Sequence, residues 1–322
     1  KSQEYRVGLV PDSVREIVHH GHRVLVEKNA GLGIGIDDAA YTAAGAHVVD
    51  TAEEIFAKAE LIVKVKEPQP VECKQLREGQ TLFTYLHLAP DPEQARALLA
   101  SGCTAIAYET VTEEGGGLPL LTPMSQVAGR MSIQAGAHCL EKEKGGSGIL
   151  LGGVPGVAPA NVVVIGGGVV GTNAIRMAMG MEANVIVLDK SLRRLNELDF
   201  QFGSKLRTIF ATSAAIEEYV HDADLVVGAV LVHGAAAPKL VTRAMLKKMR
   251  PGSVVVDVAI DQGGCFETSR ATTHSHPTYV EEGVVHYCVA NMPGAVPRTS
   301  RVALNNATFA LVVSLGNLGV KK

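Results

Sequence analysis

Three glycines and one aspartate carry the most specific chemistry in this sequence. Gly166, Gly168 and Gly171 stand in the spacing G-x-G-x-x-G, directly after the apolar run Val162, Val163, Val164, Ile165. A helix-forming stretch continues to Gly180, and a second apolar run at 185–188 ends on Asp189. Strand, glycine turn, helix, strand and acid, in that order, predict a dinucleotide site. Gly166 permits the tight turn, Gly168 lets a pyrophosphate approach the backbone, and Gly171 lets the helix pack close to the strand. The helix N-terminus presents unpaired N–H groups and the positive end of its dipole to the phosphates. Asp189 lies about 20 residues beyond the turn, where a carboxylate accepts hydrogen bonds from a ribose. A bare glycine triplet marks any tight turn; the surrounding elements make this one specific.

Four further polar positions sit at or beyond the ends of predicted strands, where α/β proteins build their sites. Arg6 lies in the segment Glu4, Tyr5, Arg6, Val7, Gly8. Lys66 follows the run 61–65 and precedes Glu67 and Pro68, His87 follows Tyr85 and Leu86, and Asp261 follows the run 253–258. Pro68 forces an extended exit at Glu67. Singly, each position has an ordinary reading. A loop Arg or a strand-end Lys is usually solvated, a lone His after an apolar strand is usually a satisfied interior residue, and an Asp after a buried strand is often a cap or turn residue. His19, His20 and His22 read as residues near a helix end, His274 and His276 as flanking Ser275 before Pro277, and Cys265 as a small buried residue.

These positions need a scaffold. Over 322 residues, short apolar runs alternate with helical segments, the pattern of βαβ units in two domains. Strands are expected at 23–27, 46–49, 61–65, 81–85 and 104–108, then at 162–165, 185–189, 208–210, 225–229, 253–258 and 284–287. Helices are expected at 11–20 and 125–144. An apolar helix at 300–315 is expected either to return to the first domain or to meet another subunit. A hydrophobic content of 47% suits buried parallel strands. The net charge of −3, the lack of Trp and an aromatic content of 4% leave no basic or stacking surface for nucleic acid, and no basic surface for a membrane. No apolar run approaches the roughly 18 residues of a membrane span, and no signal peptide is expected. Cys73, Cys103, Cys139, Cys265 and Cys288 form no C-x-x-C pair, so free thiols in a reducing compartment are expected.

The segments 4–9, 64–68, 83–88, 107–111, 119–121, 123–125, 152–157, 166–171, 257–265 and 289–294 together make the chain resemble the alanine dehydrogenase family almost from end to end. The resemblance implies an α/β fold of two doubly wound Rossmann-like domains with a cleft between them. The substrate domain would comprise 1–124 and 296–322, and the NAD-binding domain 125–295. The implied reaction is NAD-dependent interconversion of L-alanine with pyruvate and ammonium. Carried over residue by residue, Arg6 and Lys66 hold the substrate carboxylate, and His87 and Asp261 are catalytic. Gly166, Gly168, Gly171, Asp189, Ser125, Arg194 and Asn291 bind the cofactor, and no metal is implied.

The residue types suit these roles. Arg clamps a carboxylate bidentately and Lys adds a compact charge. A His with near-neutral pKa can bond a carbonyl and shuttle a proton. Asp189 repels a 2′-phosphate and so selects NAD over NADP, with Lys190 beside it softening that choice. The resemblance further implies a cytoplasmic homo-oligomer, a hexamer, with the apolar tail at 309–315 as a candidate contact. A competing reading is the NAD-binding domain of a proton-translocating transhydrogenase, against which Lys66 and His87 argue. A catalytically silent NAD-binding protein would need none of Arg6, Lys66, His87 and Asp261. A lysine- or saccharopine-type dehydrogenase would want a larger side-chain pocket. Family members carry a strand before the Arg6 loop and a longer C-terminal helical region than 307–322 supplies. An open strand edge and a displaced Arg6 are therefore expected in the first domain.

Overall fold

The computed structural model describes residues 3–89, 91–230 and 237–320. Two compact units divide the chain, one formed by Lys1–Met124 with Val296–Lys322, the other by Ser125–Ala295.

The first unit contains β1 (Leu25–Glu27), β2 (His47–Val49), β3 (Leu61–Val63), β4 (Thr81–Thr84) and β5 (Thr104–Ala107). All are short and all pair in parallel. They do not form the single parallel sheet that the alternation of elements suggests. Among the described residues β1 pairs with β2, and β3, β4 and β5 form a separate sheet in that order. Residues of both β1 and β3 line a cavity of about 1360 Å³. Ile62, Leu82, Leu86, Phe56, Leu76 and Leu98 form the core behind β3 and β4. The C-terminal helix Pro297–Leu318 belongs to this unit, with the Asn305 amide donating to Ser13 Oγ at 2.6 Å.

The second unit adds β6 (Asn161–Ile165), β7 (Asn184–Asp189), β8 (Leu206–Phe210), β9 (Leu225–Gly228), β10 (Val254–Asp257), β11 (Thr278–Glu281) and β12 (Val284–Tyr287). Their order in one sheet is β11-β12-β10-β9-β6-β7-β8. Without β11 this is the parallel order 3-2-1-4-5-6 of a doubly wound dinucleotide fold, whose direction reverses between β6 and β9. All four residues of β9 and of β10 are buried, which explains their unbroken Val and Leu runs: helices or loops cover both faces of such strands.

β11 is the strand absent from the sequence reading. It pairs antiparallel with β12 through a tight turn at Glu282 and Gly283, with φ of +53° and +75°. Glu-Gly is a weaker hairpin signal than Asn-Gly, and the half-exposed β11 lacks an apolar run. The expected helix 125–144 is shorter and begins earlier, at Thr122–Cys139, and residues 142–144 form a separate 3-10 turn. Among the described residues no helix is long and apolar enough to cross a membrane.

Candidate active site

Three of the proposed site residues lie in the first unit. β3 and β4 run side by side with Val63 opposite Phe83, so the segments leaving them emerge together. Lys66 and His87 lie on those segments, and Lys66 Nζ is 3.2 Å from His87 Nε2. Lys66 is buried. A charged ammonium only donates, so the imidazole nitrogen facing it accepts. Thr84 Oγ1 donates to the Lys66 carbonyl at 3.0 Å and fixes its backbone.

Arg6 is held firmly by its neighbours. Its Nε and Nη2 donate to the two carboxylate oxygens of Glu4, each at 2.7 Å, and its side chain is 1% exposed. Nη1 donates to Met124 Sδ at 3.1 Å. Tyr85 joins the two groups. Its ring stacks on His87 at 5.8 Å, its hydroxyl donates to the Leu120 carbonyl at 2.6 Å, and the Arg6 guanidinium opposes the strong upward pKa shift that burial imposes on its phenol. Glu109 accepts the N–H of both Leu86 and His87. Glu4, Tyr85 and Glu109 lie within the family segments without a role assigned from sequence: Tyr85 and Glu109 meet partners on other segments, and spacing alone does not show that Glu4 folds back onto Arg6.

The glycine turn of the second unit follows β6. Gly166 has φ +98°, where a side chain is strained. A Cβ on Gly171 would fall 1.8 Å from the Gly166 carbonyl oxygen, so only glycine allows the helix Val169–Gly180 to start that close to β6. A Cβ on Gly168 would meet nothing within 4 Å. Asp189, the last residue of β7, accepts Gly167 N–H at 2.7 Å with Oδ2 and Ser191 N–H at 2.8 Å with Oδ1. Arg194 holds the next peptide, its Nε donating to the Gly167 carbonyl at 2.6 Å. It also donates to Thr172 Oγ1 and to Glu197, each at 2.6 Å. Asp189 and Arg194 thus brace the turn from both sides.

Asp261 is exposed on the 3-10 turn Ile260–Gln262. Asp257, fully buried at the end of β10, holds the loop that carries it by accepting Ala259 N–H at 3.1 Å, Cys265 N–H at 2.8 Å and the Ser269 hydroxyl. Burial raises the Asp257 pKa against these bonds. Burial also pushes the Cys265 thiol up to about 12, which suits a packing residue rather than a reactive thiolate. Asn291 takes φ +65°, and its carbonyl accepts from Gly294 N–H at 2.8 Å and His274 Nε2 at 3.1 Å. Ser125 is half-buried in the first turn of Thr122–Cys139. Among the described residues no three His, Cys, Asp or Glu side chains converge on a metal position.

One constellation therefore gathers Arg6, Lys66 and His87, and another the glycine turn with Asp189 and Arg194. Residues 1–128 match the family described as Alanine dehydrogenase/PNT, N-terminal domain, and residues 132–322 match Alanine dehydrogenase/PNT, C-terminal domain. The chain belongs to the alanine dehydrogenase/PNT family. It is 62% identical over 322 residues to the alanine dehydrogenase of Halomonas elongata, covering 100% of this chain and 87% of that protein. A solved L-alanine dehydrogenase, 54% identical, superposes with a TM-score of 0.95 over 100% of this chain and 89% of its own. A transhydrogenase from Sinorhizobium meliloti, 26% identical, superposes at 0.86 over 100% of this chain and 92% of its own. The α/β fold with two Rossmann-like domains is common to the alanine dehydrogenase/PNT family and this chain.

Proposed function

We propose that this chain catalyses the NAD-dependent oxidative deamination of L-alanine to pyruvate and ammonium, and the reverse reductive amination. The carrying observation is the buried Lys66 ammonium 3.2 Å from the His87 imidazole, a charge and a proton carrier beside each other in one unit. Whole-length similarity to proteins named alanine dehydrogenase supports the same reading.

NAD fits the glycine turn because the backbone at Gly168 is open where a side chain would project. Gly166, Gly168 and Gly171 with the start of the following helix would hold the pyrophosphate, and Asp189 the ribose. Each Asp189 oxygen retains acceptor capacity beyond its one backbone bond. Ser125, Arg194 and Asn291 would line the remainder. When bound, NAD supplies the two-electron acceptor for oxidation at the alanine Cα.

The chain's residues do the rest. Arg6, its plane preset by Glu4, and Lys66 bind the substrate carboxylate. As Lys66 turns its ammonium toward that carboxylate, His87 Nε2 becomes available to take a proton from the water that adds to the substrate iminium carbon. Asp261 orients that water and balances the cationic carbon. His87 then returns the proton to the departing nitrogen. Alanine, water and oxidised cofactor become pyruvate, ammonium, reduced cofactor and one proton.

The competing reading is hydride exchange between two nucleotides, as the transhydrogenase likeness suggests. A nucleotide partner has no need of the Lys66 and His87 pair. NADH absorbance followed with pyruvate and ammonium separates the two. Oxidation that requires both substrates is expected; none, with NADH still bound, overturns the proposal. His87→Ala should lower turnover by at least about 100-fold and leave NADH affinity nearly unchanged. The free cysteines support a cytoplasmic setting. The exposed Val302, Leu311 and Leu318 on the C-terminal helix offer apolar surface for a homo-oligomer, and light scattering would test whether it is the hexamer that the family resemblance suggests.

A further inference from the structure

His87 holds an unusual backbone. Its φ is +49°, a left-handed conformation that β-carbon-bearing residues avoid. Immediately beyond β5, the 3-10 turn Tyr108–Thr110 brings Glu109 back against this residue. One carboxylate oxygen lies 2.6 Å from His87 N and 3.1 Å from Leu86 N, and the other lies 3.3 Å from Leu86 N. Two successive amides, the second with positive φ, form a small concave anion site, and Glu109 fills it. Leu86 is also fixed on its carbonyl side, where the buried Gln94 amide donates at 2.7 Å.

We propose that Glu109 is a positioning residue for His87. Its carboxylate holds the left-handed turn that aims the His87 Cα–Cβ bond, and so places Nε2 beside Lys66 and the ring against Tyr85. Relaxed to negative φ, the same residue would point its ring elsewhere, because φ sets the direction of Cβ relative to the chain that β4 delivers. Glu109 reaches no reacting atom in this role. The catalytic half of the inference rests on the reading of His87 as the proton carrier; the conformational half does not.

Two experiments on the full chain test the halves separately. The first compares urea midpoints of the parent, Glu109→Ala, His87→Gly and the double variant. Glycine accepts positive φ without strain. The midpoint loss caused by Glu109→Ala should therefore shrink when residue 87 is glycine. An equal loss in both backgrounds overturns the conformational role. The second measures alanine turnover. Glu109→Ala should lower kcat by on the order of 10- to 100-fold, as for a misplaced catalytic group, with KM for alanine changed far less and NADH affinity unchanged. Glu109→Gln, whose amide oxygen still accepts from the two N–H groups, should recover most of the loss. Parental kcat in Glu109→Ala, or no recovery in a folded Glu109→Gln, overturns the catalytic half. A parent inactive on alanine would sink the functional reading while the urea comparison still decides the conformational one.

Discussion

Three glycines bordering one helix should respond to alanine in three different ways, and the reason lies in where each Cβ would fall. At Gly171 it would sit 1.8 Å from the Gly166 carbonyl oxygen, against a floor of 3.0 Å for real contacts, so the helix must retreat from the turn by about 1.2 Å. Overpacking of that kind costs about 1–3 kcal/mol, only partly offset by the roughly 1 kcal/mol that Ala gains over Gly inside a helix. Moving the helix start also withdraws its N–H groups from a bound phosphate. Gly171→Ala should thus lower the urea midpoint and weaken NADH binding together, by about 10-fold or more. At Gly168 the Cβ meets nothing within 4 Å and φ is −64°, so the fold should tolerate alanine. The methyl would occupy space proposed for the pyrophosphate, so Gly168→Ala should weaken NADH by about 10-fold with an unchanged midpoint. At Gly180, near the far end of the helix, the Cβ also meets nothing. Gly180→Ala should leave NADH affinity alone and add up to about 1 kcal/mol of stability. NADH fluorescence titration and urea unfolding on the three variants read out both quantities. Parental NADH affinity in Gly168→Ala would refute the assignment of this turn to the phosphates.

Tyr108 is fully buried, and among the described residues its hydroxyl has no hydrogen-bond partner. Tyr108→Phe should therefore leave the urea midpoint unchanged or raise stability by about 1 kcal/mol; a clear loss would reveal a partner for the hydroxyl. Stability should also depend on pH through His286, which is buried, donates from Nδ1 to the Val284 carbonyl at 2.9 Å and accepts from Thr268 Oγ1 at 2.7 Å through Nε2. Burial lowers its pKa below 6.5, so the unfolded chain binds a proton that the fold refuses. Its contribution is complete above pH 6.5 and is lost as the pH falls toward the depressed folded value. Thermal unfolding from pH 8 to 5 should slope less steeply in a His286→Gln variant than in the parent, and identical slopes would contradict the lowered pKa.

Much of the scaffold is legible in the linear chain because it depends on local rules. β6, β7, β9 and β10 are dominated by Val, Ile and Leu because both of their faces are covered, and the G-x-G-x-x-G spacing records backbone geometry that only glycine permits. Gly166 and Gly171 do have the conformation and the clearance those rules require. The edge strand β11 escapes the same rules because one side of it is solvated and its turn carries glutamate.

What the sequence determined alone was therefore the local alphabet: which segments extend, where the glycine turn bends, and which polar residues stand at strand ends. The tertiary structure decided how those residues are held. Glu109 reaches amides 22 and 23 residues earlier in the chain. Asp189 takes the Gly167 N–H and Arg194 the Gly167 carbonyl, one hold on each of the two peptides that meet at that residue. Periodicity records which side of an element is buried, but not which distant donor or acceptor meets it there. That choice belongs to the packed chain.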